Sequence, residues 1–300
     1  MKRTVILVLA IFCFTISFSQ TINKEVIDDR GKAKLLGVIN KEDLTKASYN
    51  EWFLKNHDDY LVNEKVVKKF KDSLKDYDIK VFLGTWCGDS KREVPRFYKI
   101  LEEVNFPENQ LQVIAVDKTP EAYKQSPTRE EKGLNIHRVP TFIFYKDGKE
   151  VNRIVEHPKE TLERDMLNIV TKNKYTPNYR VVSYLNKLIQ DKGIDSLQVT
   201  EKELVSTLAE FTKGSRELNT FGYKLLRSDQ IEKALYVFDL NTKIYPYKYN
   251  VYDSLGEAYL VAENYSEALK NYYKVLTMNP ENKNAKEMIR TINSKIKGLE

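Results

Sequence analysis

The sequence has few cysteines and histidines, the residues that most often act as nucleophiles, bases or metal ligands. Its 300 residues contain two cysteines, Cys13 and Cys87, and three histidines, His57, His137 and His157. The histidines are scattered and have no thiol or carboxylate neighbours at metal-ligand spacing, so we expect neither a metal site nor another cofactor.

The chain also lacks an apolar run long enough to span a membrane. Residues 5–18 are mostly apolar and follow Lys2 and Arg3, but a spanning helix needs roughly 18 to 20 such residues. A short run of this kind is typical of a secretory signal. We therefore expect a signal peptide at residues 1–19, a periplasmic or secreted mature chain, and no membrane association after cleavage. Cys87 would then be its only thiol, which excludes an internal disulfide.

Charge of one sign is not concentrated in any part of the chain. The formal net charge is +6, from 49 Lys and Arg against 43 Asp and Glu, and both signs are interspersed. Binding of nucleic acid requires a clustered basic surface. We therefore do not expect a nucleic-acid partner.

The first half of the chain mixes strand and helix patterns. Apolar periodicity predicts a strand at 79–83, a helix at 93–104, strands at 111–116, 141–145 and 151–155, and a helix from Pro158 to about residue 171. Asp147 and Gly148 lie between the last two strands and suit a tight hairpin. This order predicts an α/β fold, a central mixed sheet flanked by helices. Before it, at 20–75, we expect only an extension and two helices, one around Trp52 and one at 66–74.

The second half contains an internal repeat with an offset of 34 residues. The first set of matched positions is Leu218, Gly222, Leu226, Ala234, Phe238 and Pro246, and the second is Tyr252, Gly256, Leu260, Ala268, Tyr272 and Pro280. The small residues allow paired helices to approach closely, and the prolines end each second helix. The pattern resembles the tetratricopeptide repeat, with repeats at about 217–250 and 251–284.

Two such repeats are fewer than a stable stack usually needs, so flanking helices are expected. Residues 181–190 and 200–211 are candidates for a degenerate first pair, the second opened by a capping box of Thr200 and Glu203. Residues 285–296 are expected to cover the other end.

The residues around Cys87 resemble the active-site region of the thioredoxin family. The matching positions, in chain order, are Trp86, Cys87 and Gly88, then Pro95, Asp117, Val139, Pro140 and Thr141, and finally Gly148. Their order over about ninety residues implies a thioredoxin-like domain. We therefore expect the following division: signal peptide 1–19, extension and first helices 20–75, thioredoxin-like domain 76–172, linker 173–180, and all-α domain of tetratricopeptide-type helical hairpins 181–300.

The position of Cys87 at a strand-to-helix junction favours nucleophilic chemistry. The amino end of a helix stabilises a thiolate over a thiol, and Lys91 and Arg92 add positive charge while Asp89 opposes it. A thiolate attacks disulfide sulfur and forms a mixed disulfide. Cys87 is therefore the candidate nucleophile.

The resemblance also implies how a client would bind. Pro140 would be cis and lie opposite the sulfur, so that the main chain of Val139 could pair with an extended client segment. Trp86 would give that segment an apolar surface or simply pack in the core. Gly88 and Asp89 complete the candidate client-binding set.

Two positions depart from the family pattern. Ser90 stands where the second active-site thiol is expected, and Val81 aligns with the family's buried acid. Without a second thiol, the chain cannot release its own client, so an external resolving thiol is needed. Ser90, the other candidate catalytic residue, would either donate to the Cys87 thiolate or cap the helix. His137 lies near Pro140 in sequence, and we expect it at the surface rather than as a base.

These features leave two hypotheses. The first is an exported monothiol protein that forms mixed disulfides with client proteins and acts in thiol-disulfide exchange. The second is a non-catalytic adaptor or holdase that binds proteins through the thioredoxin fold and the repeats. The tyrosines considered for this surface are Tyr245, Tyr247, Tyr249, Tyr252 and Tyr259.

Overall fold

A computed structural model describes residues 24–28 and 30–298, so the expected leader, Cys13 and the cleavage position lie outside the described residues. A six-stranded sheet has the order β1-β2-β4-β3-β5-β6. Only β3 and β4 are parallel; the other neighbouring pairs are antiparallel. The strands are β1 Lys24–Ile27, β2 Ala33–Ile39, β3 Asp78–Leu83, β4 Leu111–Ala115, β5 Thr141–Lys146 and β6 Lys149–Val155.

Strand side chains alternate between two apolar layers, because successive residues of a strand point to opposite faces. In β3, Val81 and Leu83 belong to the larger layer, whereas Phe82 lies in the smaller one. Helices cover the larger layer. The smaller layer is covered by residues 116–140, which contain only the 3-10 turn Pro120–Ala122. This irregular connection carries the segment opposite Cys87.

The helices of this sheet region, which we define as residues 24–170, are α1 Lys41–Leu44, α2 Asn50–Asp58, α3 Glu64–Val67, α4 Lys71–Leu74, α5 Gly88–Glu103 and α6 Leu162–Val170. Helix α5 starts five residues earlier than its apolar pattern predicted. The predicted start of the last helix at Pro158 is wrong. The Thr161 hydroxyl accepts the Arg164 N–H at 3.3 Å, so the helix begins after this cap.

The N-terminal part differs most from the sequence-based expectation. Strands β1 and β2 were not predicted, and the single helix expected at 66–74 is two short helices, α3 and α4. Gly37 lies inside β2 and has a φ of +86°. In the sequence this glycine divides the short apolar pattern of the strand. The strand is nevertheless placed by pairing with β4, and Lys34 forms a salt bridge with Asp117.

The helical region, residues 180–298, consists of antiparallel hairpins, as the repeat predicted. Its helices are α7 Arg180–Lys192, α8 Ile194–Val199, α9 Glu201–Phe211, α10 Arg216–Leu226, α11 Ile231–Ile244, α12 Tyr249–Val261, α13 Tyr265–Met278 and α14 Lys283–Lys297. A Cβ atom on Gly222 would come within 2.6 Å of the Phe238 ring, so the glycine permits the close approach of α10 and α11. The predicted capping box at Thr200 is wrong, because its side chain makes no cap hydrogen bond.

Side chains of the irregular connection bind the helical region directly. Gln125 Nε2 donates to Arg227 O at 2.7 Å, and Arg138 Nη2 donates to Thr220 Oγ1 at 2.9 Å. Helix α10 therefore lies beside the loop that ends at Val139. No helix in the described part of the chain has the length and apolar character to cross a bilayer.

Candidate active site

Cys87 is the N-cap residue of α5, between β3 and the 16-residue helix. Its N–H donates to Gly84 O at 2.8 Å, and its carbonyl accepts the Lys91 N–H at 3.0 Å. These two bonds turn the chain from strand to helix. The thiol-bearing residue thus lies at the amino end of α5, where unpaired backbone N–H groups and the helix dipole stabilise negative charge.

The segment opposite the sulfur is Val139–Pro140, whose peptide bond is cis. The Cys87 thiol donates to Val139 O at 3.3 Å. Cys87 is half-buried, while Val139 and Pro140 are buried. The thiol is therefore held against the main chain of the segment that the sequence singled out for client binding, while part of its surface remains accessible.

Trp86 lies beside Cys87 with one edge of its indole fixed. Its Nε1 donates to Val116 O at 2.9 Å, and the half-buried ring packs against the smaller apolar layer. A Cβ atom on Gly84 would come within 2.5 Å of this ring. The indole therefore packs against the core, as one of the two expected roles requires, and remains partly exposed.

Ser90 has neither of the roles that the sequence suggested. It is completely buried, and its Oγ accepts the Gly84 N–H at 3.2 Å instead of bonding to Cys87. The cap position belongs to Cys87 itself, which makes no side-chain cap bond. The hydroxyl therefore fixes the loop that carries the thiol.

The charged residues of the first turn are paired with one another. Arg92 Nη2 donates to Asp89 Oδ1 at 2.6 Å, and Arg92 Nε donates to Glu93 Oε1 at 2.6 Å. Lys91 Nζ lies 5.8 Å from the Trp52 ring centroid. These contacts pair Arg92 with two carboxylates and direct Lys91 towards Trp52. Gly88 is open, because a Cβ atom there would meet nothing within 4 Å.

Lys124 is a site residue that the sequence analysis missed. It is 5% exposed, and its ammonium contacts the Tyr123 hydroxyl at 2.5 Å. Burial, followed by the charge of Arg138, lowers the pKa of Lys124 to about 7, while Cys87 and Glu156 oppose the shift. Arg138, Cys87 and Glu156 are therefore all within electrostatic reach of Lys124.

The irregular connection holds Lys124 in this position. Lys124 N–H donates to Asp117 O, and Asp117 N–H donates to Gln125 O, both at 2.9 Å. No periodic pattern marks this segment, and 37 positions separate Lys124 from Cys87 in the sequence. Val81, at the position of the family's buried acid, lies in the apolar core.

His137 is buried, which makes the expected surface position wrong. Its exposed fraction is 2%, and its Nδ1 is 3.1 Å from Asn135 O. Burial lowers the pKa of His137 to about 3. The imidazole is therefore neutral at physiological pH and a poor proton acceptor.

The fold and this geometry define a thioredoxin-fold protein with one candidate nucleophile. A family model described as Thioredoxin matches residues 40–170. The chain is 30% identical to Thioredoxin of Geodia cydonium over 109 residues, which cover 35% of this chain and 91% of that relative. It therefore belongs to the thioredoxin family, through a thioredoxin-like domain that lies before the helical region.

Two further relatives match shorter segments. Thioredoxin H-type of Picea mariana is 32% identical over 83 residues, 28% of this chain and 58% of that protein. Thioredoxin Asp f 29 of Aspergillus fumigatus is 31% identical over 80 residues, 27% of this chain and 66% of that protein. The chain thus spans less than two thirds of the length of these two relatives. At the family level, the similarity supports a thiol-disulfide oxidoreductase-like function.

Proposed function

We propose that this chain is an exported monothiol thioredoxin-like protein that forms mixed disulfides with client proteins through Cys87. The observation that carries the proposal is the half-buried Cys87 at the amino end of α5, with its sulfur beside the main chain of Val139. Ser90, three residues later, is buried and carries a hydroxyl. Among the described residues Cys87 is the one cysteine, so the sulfur has no partner there for a second disulfide.

The proposed reaction needs two thiol-disulfide exchanges. The Cys87 thiolate attacks one sulfur of a client disulfide, which breaks that bond, forms the mixed disulfide and releases the other client sulfur as a thiolate. An external thiolate then attacks the client sulfur of the mixed disulfide. This attack releases the Cys87 thiolate and forms a new disulfide between the client and the external sulfur. Isomerisation follows instead when a different client cysteine makes the second attack, because attack by the released client thiolate only re-forms the original disulfide.

Export and the repeat assignment belong to the same proposal. Support for export is the basic and then apolar sequence of residues 1–19. Support for tetratricopeptide-type repeats is the offset of 34 residues together with close glycine-to-ring packing in both hairpins. A Cβ atom on Gly222 would meet the Phe238 ring at 2.6 Å, and one on Gly256 would meet the Tyr272 ring at 3.2 Å.

Thiol trapping tests the proposal. We expect the mature protein, incubated with periplasmic extract and quenched by alkylation, to form adducts that disappear on reduction and are absent for Cys87→Ala. Ser90→Ala is the matched control, because it alters the same turn but keeps the sulfur, and it should still form adducts. Equal adduct formation by Cys87→Ala and the unmodified chain would contradict the proposal.

A non-catalytic adaptor or holdase is the second candidate, favoured by exposed tyrosines of the helical region. Tyr247 is 91% exposed and Tyr249 42% exposed. By contrast, the hydroxyls of Tyr245 and Tyr252 are bound to Thr212 Oγ1 and Pro246 O. If the adaptor hypothesis holds, Cys87→Ala will bind clients and suppress their aggregation as well as the unmodified chain.

A further inference from the structure

A cavity of about 700 Å³ lies between the sheet region and the helical region. The sheet region contributes Arg138 and Glu156 to its lining, and the helical region contributes Lys213, Arg216 and Glu217. Its volume is within the range of ligand sites, roughly 300 to 1,000 Å³. The cavity is therefore large enough to receive several side chains of another molecule.

The cavity adjoins the segment opposite Cys87. Arg138 directly precedes Val139, whose carbonyl accepts the Cys87 thiol. Glu156 N–H donates to Pro140 O at 2.7 Å. Two residues of the cavity lining thus flank the Val139–Pro140 segment, one in sequence and one through a hydrogen bond. The cavity is therefore a neighbouring surface for a chain that pairs with this segment.

The carboxylates of the cavity are already engaged by neighbouring groups. Glu156 accepts from Arg138 Nη1 at 3.0 Å and from the Tyr179 hydroxyl. Glu217 is buried and accepts from Thr212 Oγ1 at 3.1 Å and from the Lys213 N–H at 2.9 Å. These contacts hold both carboxylates in the wall of the cavity.

Three cations at the rim are not neutralised in this way. Lys213, Arg216 and Lys248 line the cavity and are exposed, and none has an ion pair to a carboxylate in the described part of the chain. Lys248 Nζ lies 5.0 Å from the Tyr245 ring centroid. With Arg138, the lining carries four cationic residues against two carboxylates, so its net charge is positive.

We infer that this cavity binds acidic side chains of a client segment that flanks the cysteine attacked by Cys87. The identity of the ligand as a client rests on the proposed function, but the binding itself needs no thiol. Opposite charges across an interface accelerate encounter and fix register. The helical region would therefore select clients whose acidic residues lie close to the reactive disulfide.

Noncovalent peptide binding to the Cys87→Ala protein tests this inference. The probe is a fluorescent peptide with serine in place of the client cysteine and glutamates on both sides; the matched peptide has glutamines instead. We expect the acidic peptide to bind about tenfold more tightly at low salt. Raising the salt from about 0.05 to about 0.5 M should remove most of this difference, because screening weakens exposed charge pairs. Equal affinities for the two peptides at low salt would overturn the inference.

Charge reversal locates the binding. Lys213→Glu combined with Arg216→Glu should abolish the preference for the acidic peptide. The control pair, Lys192→Glu with Lys202→Glu, reverses two exposed lysines outside the cavity lining and should keep the preference. An equal loss in both double variants would overturn the inference, because it would reflect overall charge rather than this cavity.

The two proposals fail separately. Acidic-peptide selectivity in Cys87→Ala, without any adduct in the unmodified chain, supports the cavity inference and contradicts the proposed thiol chemistry. Adducts in the unmodified chain without selectivity overturn the cavity inference and leave the thiol proposal in place.

Discussion

The sheet region and the helical region both place an aromatic ring against a glycine, but the two rings differ in exposure. A Cβ atom on Gly84 would meet the Trp86 indole at 2.5 Å, and one on Gly222 would meet the Phe238 ring at 2.6 Å. Phe238 is completely buried, whereas Trp86 is half-buried. The same close approach therefore packs two helices in one region and presents an aromatic surface beside the thiol in the other.

The two regions also differ in how many polar side chains they bury. In the sheet region, the buried polar residues Ser90, Lys124 and His137 come from the first turn of α5 and from the irregular connection. The helical core consists mainly of apolar contacts between successive helices. Changes near the thiol should therefore alter chemistry and pH dependence, whereas changes in the helical core should alter stability alone.

The largest effect is expected when the missing sulfur is restored in the sheet region. Ser90→Cys places a second thiol three residues after Cys87, within one helical turn, so that the chain can resolve its own adduct. We predict that insulin reduction, with a reductase and its electron donor as the electron source and no small thiol present, rises from background to a rate well above that of the unmodified chain.

Ser90→Ala is the control for that experiment and should stay at background. Strong insulin reduction by the natural sequence in the same assay, with no small thiol added, would contradict the monothiol interpretation. So would a Ser90→Cys protein that folds normally but remains inactive.

The next effect is on the pH dependence of the free energy of unfolding, and it tests whether Lys124 is buried as a neutral amine. Its pKa is lowered to about 7, first by burial and then by Arg138, whereas an unfolded lysine titrates near 10.4. Between these values the unfolded chain binds more protons, so stability rises with pH. Relative to Lys124→Met, the unmodified residue should gain about 1.4 kcal/mol of unfolding free energy per pH unit.

Urea denaturation at about pH 7.5, 8.5 and 9.5 measures this difference, with both proteins in a Cys87→Ala background to remove thiol titration. The other ionisable groups that interact with Lys124 are Tyr123, Arg138, Glu156 and His137, and they are the same in both proteins. A difference that does not vary with pH would show that the amine is not buried.

A smaller effect is expected in the helical core, where only packing changes. Gly222→Ala would force a methyl group against the buried Phe238 ring, at a typical overpacking cost of about 1–3 kcal/mol. In Gly256→Ala the nearest ring atom is 3.2 Å away, and the better helix propensity of alanine, about 1 kcal/mol, offsets much of the strain. Thermal unfolding should therefore rank Gly222→Ala as the less stable variant, with adduct formation at low temperature unchanged in both.

The smallest effect is expected at Gly88, the open glycine beside the thiol. Gly88→Ala meets nothing within 4 Å, so we expect a change in unfolding free energy of less than about 0.5 kcal/mol. Measured beside Gly222→Ala, it separates steric cost from the general effect of replacing glycine. A loss of more than about 2 kcal/mol would contradict this arrangement of the α5 start.

The sequence predicted most of the architecture wherever the signal was local. Residues of the repeat, such as Gly222 and Phe238, meet within one helical hairpin, so a short periodic pattern was sufficient. The hairpin of β5 and β6 was predicted for the same reason, since Asp147 and Gly148 join neighbouring strands. The thioredoxin-like pattern around Cys87 predicted its junction between β3 and α5.

Most of what was missed depends on distant partners. Strand β2 pairs with its neighbour β1 through residues 33–36, but its last three residues pair with β4, far along the chain. Lys124 lies in an irregular segment without periodicity, so nothing in the sequence placed it near Cys87. Ser90 was recognised, but its bond to the Gly84 N–H requires the folded turn.

The sequence by itself determined that Cys87 is the one cysteine after residue 19 and that Ser90 stands where the second active-site thiol is expected. It also predicted that Cys87 lies at a strand-to-helix junction. These properties follow from residue identity and local order, which folding does not change. Only the tertiary structure decided that Lys124 and Arg138 lie near that thiol and that a cationic cavity adjoins the Val139–Pro140 segment. Burial and charge proximity arise between residues that are distant in the chain, and they exist only once the sheet and the helices have packed.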